Sequence, residues 1–364
     1  MSSRQGKAKH ASSKATATKS RLRFPKLLKR VLIVLAAVLL LCIGSMYGIA
    51  QWYIHRHAHE PLQMGATFIP DYAEQLGLMP EQTLDAIITD LQPDRLRLVS
   101  YWENGEAVPG QYDFSFLDWQ MDKAAAAGIK VSLSIGLRQP RWPECHMPKW
   151  AAVMPASEWA PKLKDYIQAV VERYRNNPAL VEYQLENEVF LKAFGDCPDH
   201  SRDRLVDEYN LVKQLDPNHT LIVSRSNNAI GWPIGDPQPD KSAVSVYKRV
   251  WDRTITKRYF EYPFPAWFYG SLAGWYELSS GNNTFIHELQ AEAWLPDGFD
   301  MQTAPVEELY KSLNPERLHD RFEYGRATGM RTMDLWGAEW WYFMKERRDA
   351  PQLWDAAKTE FHRD

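Results

Sequence analysis

The chain has 364 residues, 45% hydrophobic and 24% charged, a balance that excludes a disordered polypeptide and leaves room for one large domain or two small ones. The net charge of −3 hides an asymmetry, because residues 1–30 carry ten Lys/Arg and no Asp or Glu, leaving 33 basic against 46 acidic residues in the remainder, a net of −13. A basic tail beside an acidic body suits nucleic acid or a membrane surface, and the residues that follow decide between them.

Residues 31–49 contain no charged side chain, and the apolar run continues to Trp52 and Tyr53. About twenty apolar residues cross a bilayer as a helix, and aromatic residues favour its interfaces. The reading is a basic tail over 1–30, a transmembrane helix over 31–53 and a short linker over 54–63. The basic cluster lies on one side only, so the positive-inside rule keeps the amino terminus in the cytoplasm and puts the rest outside a cytoplasmic membrane. Anionic lipid then accounts for the tail, and no nucleic-acid partner is expected. A cleaved signal peptide is the alternative; its apolar region would be shorter and would end in an Ala-x-Ala-like site, which is absent. A lipoprotein at Cys42 is disfavoured by Leu41 before it.

From residue 64 onward, apolar runs alternate with amphipathic segments. The runs cover 64–68, 95–100, 129–135, 180–186, 220–224, 243–247, 284–288 and 332–336. Helices are predicted over 80–91, 114–127, 157–174 and 202–215, the first opening at Pro80 and the second stopping at Gly128. Eight strands alternating with helices over residues 64–364 predict a (β/α)8 TIM barrel, an α/β fold preceded here by the one transmembrane helix. A doubly wound open sheet also alternates, but it usually carries Gly-x-Gly-x-x-Gly, which does not occur.

Two runs end in carboxylates: Glu188, after the fourth, and Glu288, at the end of the seventh. Barrels place catalytic groups at the carboxyl ends of strands, and two such acids facing each other suit hydrolysis of a glycosidic bond. Cys145 and Cys197 follow the third and fourth strands and fall on one rim, where an oxidising exterior would let them pair; two separate buried thiols are the alternative. No Cys-x-x-Cys and no histidine pair at helical spacing is present, so no metal is expected. His287-Glu288 is not a zinc-protease motif, because Ala291 stands where a second histidine is required.

Glu186-Asn187-Glu188, Glu288-Leu-Gln-Ala-Glu292-Ala-Trp294 and Leu335-Trp336-Gly-Ala-Glu339-Trp340-Trp341 resemble the fourth-, seventh- and eighth-strand motifs of the clan A glycoside hydrolases. Tyr101-Trp102-Glu103, followed by Gly110-Gln-Tyr-Asp-Phe-Ser115, is similar to the second-strand loop of the family 42 β-galactosidase-like members; family 5 is the other near group. The resemblance covers about residues 64–345. It implies a retaining β-glycosidase without cofactor, with Glu188 as acid/base, Glu288 as nucleophile, Asn187 on the sugar 2-hydroxyl, Arg97 and Tyr247 beside the nucleophile, and Trp336 under the sugar. Trp102, Trp142 and Trp294 are further aromatic candidates for carbohydrate contact, and Glu292 is a rival nucleophile. His287, before the nucleophile, departs from the pattern, as do Val189 and Tyr183. A monomer acting on carbohydrate is expected, with a catalytically silent carbohydrate- or cell-wall-binding barrel as the alternative.

Overall fold

The computed structural model describes residues 26–226 and 235–363. Most of the basic tail predicted over 1–30 therefore lies outside the described residues. The chain divides into two compact units, Met1–Ser45 and Met46–Asp364. One helix, Lys26–His57, runs through the division, and its span Leu28–His57 is long and apolar enough to cross a membrane. In the first unit its large apolar side chains, Leu32 to Leu41 among them, are exposed.

In the second unit the last turns of that helix are part of the barrel's packing. Residues 54–57, expected in a linker, remain helical because distant partners hold them. Tyr53 is buried and donates to Asn283 Oδ1 at 3.1 Å, and His57 sits between Glu60 and Glu277, 2.7 Å from each. Gly274 allows the approach, since a Cβ there would lie 2.9 Å from Ile49.

Eight parallel strands close the barrel in the order β1, β10, β9, β6, β5, β4, β3, β2. They are β1 (Gln63–Thr67), β2 (Arg95–Val99), β3 (Lys130–Ile135), β4 (Leu180–Leu185), β5 (Thr220–Arg225), β6 (Lys241–Val246), β9 (Thr284–Gln290) and β10 (Thr332–Trp336). The hairpin β7 (Arg249–Trp251) and β8 (Tyr259–Glu261) lies outside the barrel, after β6. Every predicted strand overlaps an observed one, and the helices Pro80–Ala86, Ser115–Ala127, Ala156–Tyr174 and Arg202–Leu215 occupy the predicted segments. A π-helical turn, Ile87–Leu91, completes the first. Gly128 stops the second with φ +70°, a left-handed turn that glycine adopts without strain.

Successive strand residues alternate between the barrel interior and the helical layer. On β2 this sends Arg95 and Arg97 inward. Arg95 meets Glu182 of β4 and, at 2.8 Å, Asp334 of β10. Arg97, one layer nearer the carboxyl ends, donates to Gln184 of β4 at 2.7 Å. The lower layer is a closed ion-pair cluster, and the upper one forms the floor of the candidate site.

Candidate active site

The chain leaves β4 through two left-handed residues, Glu186 (φ +55°) and Glu188 (φ +44°), on either side of Asn187. Such φ values are uncommon for residues other than glycine and persist only where surroundings enforce them. Four hydrogen bonds do so: Asn187 N–H donates to the Arg138 carbonyl at 2.6 Å, Glu188 N–H to Ser224 Oγ at 2.9 Å, and Glu186 accepts from the Leu137 and Arg138 N–H groups at 2.7 and 2.8 Å. Glu186, also paired with Arg204 at 2.7 Å, thus binds the loop after β3, while Asn187 and Glu188 turn into a cavity of about 690 Å³.

Glu288 reaches the same cavity from β9. Arg97 Nη1 donates to its Oε1 at 2.8 Å and the Tyr247 hydroxyl to its Oε2 at 2.9 Å, so both oxygens are held by groups that complement an anion. Arg97, fully buried, also donates from Nη2 to Asn187 Oδ1 at 3.0 Å, tying the two strand ends together. Glu188 differs: burial, then the Glu288 charge, push its pKa up to about 8, although Ser245 donates to its Oε1 and favours the charged form.

Trp336 and Trp294 line the cavity as buried or half-buried walls, and Trp142 lines it while 63% exposed. Glu292 lies at the wall, but both its oxygens are taken by Arg141, at 3.2 and 2.8 Å, and that guanidinium stands over the Trp336 ring at 4.5 Å. Cys145 and Cys197 form a disulfide with Cα atoms 5.2 Å apart, joining the loops after β3 and β4. Trp142 from the first loop and Phe194 from the second meet edge to face at 5.9 Å.

Trp102 is a correction. It begins a helical turn, Trp102–Gly105, that buries its ring completely against Trp150, with Nε1 donating to Glu106 at 2.6 Å, and it does not line the cavity. By sequence it is a candidate for carbohydrate contact, but the turn sends it into the core.

Glu144 and Ser245 are among the residues at the site that escaped the sequence reading. Glu144 is a further carboxylate lining the cavity, accepting from Asn187 Nδ2 at 3.2 Å, and burial pushes its pKa up to about 7 against the pull of Arg138. Ser245 stands two residues before Tyr247, on the same face of the chain leaving β6, and the period of two could have found it. Glu144 had no such signal.

No protein-family signature matches the chain, and no curated protein matches it either. Solved structures do. A GH10 xylanase of Thermobacillus composti superposes with a TM-score of 0.50 at 17% identity, over 79% of this chain and 86% of that one. A GH5_18 protein of Streptomyces cattleya, in complex with GlcNAc, gives 0.51 at 12%, over 76% and 70%. A β-galactosidase of the haloarchaeon Halorubrum lacusprofundi gives 0.54 at 12%, over 82% of this chain and 57% of that one. At such identities the likeness establishes the (β/α)8 fold.

Proposed function

We propose that the barrel is a retaining β-glycoside hydrolase, a cofactor-independent monomer tethered to a cytoplasmic membrane through residues 31–53 and acting on carbohydrate outside it. The supporting observation is one cavity containing two carboxylates in opposite settings: Glu288 held by a guanidinium and a phenol, and Glu188 pushed up to about 8 by burial. A buried carboxyl that holds its proton, beside a second carboxyl group that accepts from a guanidinium and a phenol, is what a proton donor and a nucleophile require. The glycoside hydrolases among the structural neighbours use the same barrel, which agrees with this reading.

In the first step a Glu288 oxygen attacks the anomeric carbon. The bond to the leaving oxygen breaks, and Glu188 gives its proton to that oxygen. In the second, the Glu188 carboxylate takes a proton from water, the resulting hydroxide bonds to the anomeric carbon, and Glu288 departs. Asn187, fixed by Arg97, faces the sugar 2-hydroxyl, and Trp336 lies under the ring. The leaving group departs between the disulfide-linked loops that carry Trp142 and Phe194. A barrel that only held carbohydrate would gain nothing from a buried proton donor beside a second carboxylate.

The test separates the two roles. Glu188→Ala should keep the first step on an aryl glycoside whose leaving group needs no proton, and added azide should restore turnover with a β-glycosyl azide as product. An azide product of inverted configuration, or full activity of Glu188→Ala on an unactivated substrate, would overturn the assignment.

A further inference from the structure

His287 is a buried residue that the mechanism leaves unused, with Nδ1 3.9 Å from Glu288 Oε1 and Nε2 facing Ser245, the serine bound to Glu188. Register explains how it gets there. Between β6 and β9, Val244 pairs with Ile286 but Ser245 pairs with Glu288, and on the other side Met333 pairs with Ile286 but Leu335 with Leu289. His287 is therefore the extra residue of a β-bulge. In a regular strand, Glu288 pointing inward would send His287 out to the helices; a bulge re-aims one of the two side chains.

The re-aimed imidazole puts Nε2 3.0 Å from Ser245 Oγ, and that hydroxyl donates to Glu188 Oε1. A serine hydroxyl has one proton and two lone pairs. With its proton committed to Glu188, it accepts from the imidazole, which puts the His287 proton on Nε2. The ring is neutral, since burial and the Arg97 charge hold its pKa well below the usual histidine value.

We propose that His287 and Ser245 form a positioning relay that fixes Glu188 Oε1 as an acceptor, so that the transferable proton rides on Oε2, the oxygen that accepts nothing from the described residues. The proposal rests on reading Glu188 as the acid/base. Neither relay residue touches the reacting atoms; both act by holding the carboxyl in one orientation through proton donation and proton abstraction.

The relay has a pH signature. Ser245 stabilises the charged form of Glu188, so its loss raises the Glu188 pKa and moves the alkaline limb of kcat/KM to higher pH. The groups facing Glu188 are Glu288 from β9, Glu144 and Arg138 from the loop after β3, and the phenols of Tyr247 and Tyr262. Arg97, Glu288 and the backbone of Arg225 face His287. None of these is altered by the variants below.

The experiment uses the full chain in detergent with Ser245→Ala, His287→Leu, the double variant and Ser245→Thr. Ser245→Ala should lose about tenfold or more in kcat on a glycoside with a poor leaving group, and no more than about twofold on a dinitrophenyl glycoside. Its alkaline limb should move up, Ser245→Thr should restore both properties, and His287→Leu should behave like Ser245→Ala. The double variant should fall no further than either single one, because a relay is lost once. Additive losses, or equal losses on both substrates with an unmoved limb, would overturn the relay. A readout without turnover is the pH titration of the Glu188 carboxyl band by difference infrared spectroscopy, identified by its disappearance in Glu188→Gln. An upward shift in Ser245→Ala supports the relay even if no glycoside is cleaved, and an unchanged titration overturns it even if the enzyme is active.

Discussion

Replacing Glu188 with Gln should stabilise the folded chain, and by an amount that depends on pH. The carboxyl has a folded pKa of about 8 against an ordinary value of 4.5, with burial as the main cause and the Glu288 charge second. Below pH 4.5 both folded and unfolded chains hold the proton, and the residue contributes no difference. Above 4.5 the unfolded chain releases it while the folded chain retains it, so stability falls as pH rises, until the folded carboxyl ionises near 8 and the loss levels off. A difference of this size is worth about 5 kcal/mol at full extent, at about 1.4 kcal/mol per unit. Glutamine keeps the volume and can still accept from Ser245 but carries no charge. Glu188→Gln should therefore match wild type at pH 4, exceed it increasingly from about pH 5 and reach its full advantage above pH 8. At about 2 °C per kcal/mol for a chain this long, that is a rise of about 10 °C in Tm. Scanning calorimetry of both proteins at pH 4, 6, 8 and 9 measures it. An advantage that is the same at pH 4 and pH 8, or absent at both, would refute the claim that burial raises the Glu188 pKa.

Glu144→Gln removes a negative charge that raises the Glu188 pKa, so the alkaline limb of kcat/KM should move to lower pH; an upward or null shift would count against their interaction. Trp142→Ala should raise KM with little change in Tm, whereas Trp102→Ala should cost about 3–5 kcal/mol of stability through a core cavity. Reducing Cys145–Cys197, which closes a separation of 52 residues, should cost about 4 kcal/mol by chain entropy and should loosen the Trp142 and Phe194 loops together, read as faster proteolysis in both.

The barrel was legible because a parallel strand buried on both faces reads as an apolar run, and the runs were countable. Glu288 followed from the end of an apolar run, whereas Arg97 and Tyr247 came only with the resemblance to the clan A motifs. His287 did not: a bulge is set by pairing with β6 and β10, and no local feature of Thr284-Phe-Ile-His-Glu288 marks one. The segment after Tyr53 read as a linker because His55, Arg56 and His57 are polar, yet Arg56 and His57 are held by Glu277, more than 200 residues away. Trp102 failed for a related reason, since the turn that buries it depends on Glu106 and Trp150. Local pattern locates strands and their ends; partners distant in sequence decide where the side chains beyond those ends turn.

The central claim is that Glu288 forms a covalent bond to the sugar. Incubation with a panel of 2-deoxy-2-fluoro-β-glycosyl fluorides, whose slow second step lets the glycosyl-enzyme accumulate, followed by peptide mass spectrometry, tests it directly. A single fluoroglycosyl adduct is expected on Glu288, absent in Glu288→Gln. An adduct on Glu292 or Glu144 instead, or turnover of the parent glycoside by Glu288→Gln, would contradict it.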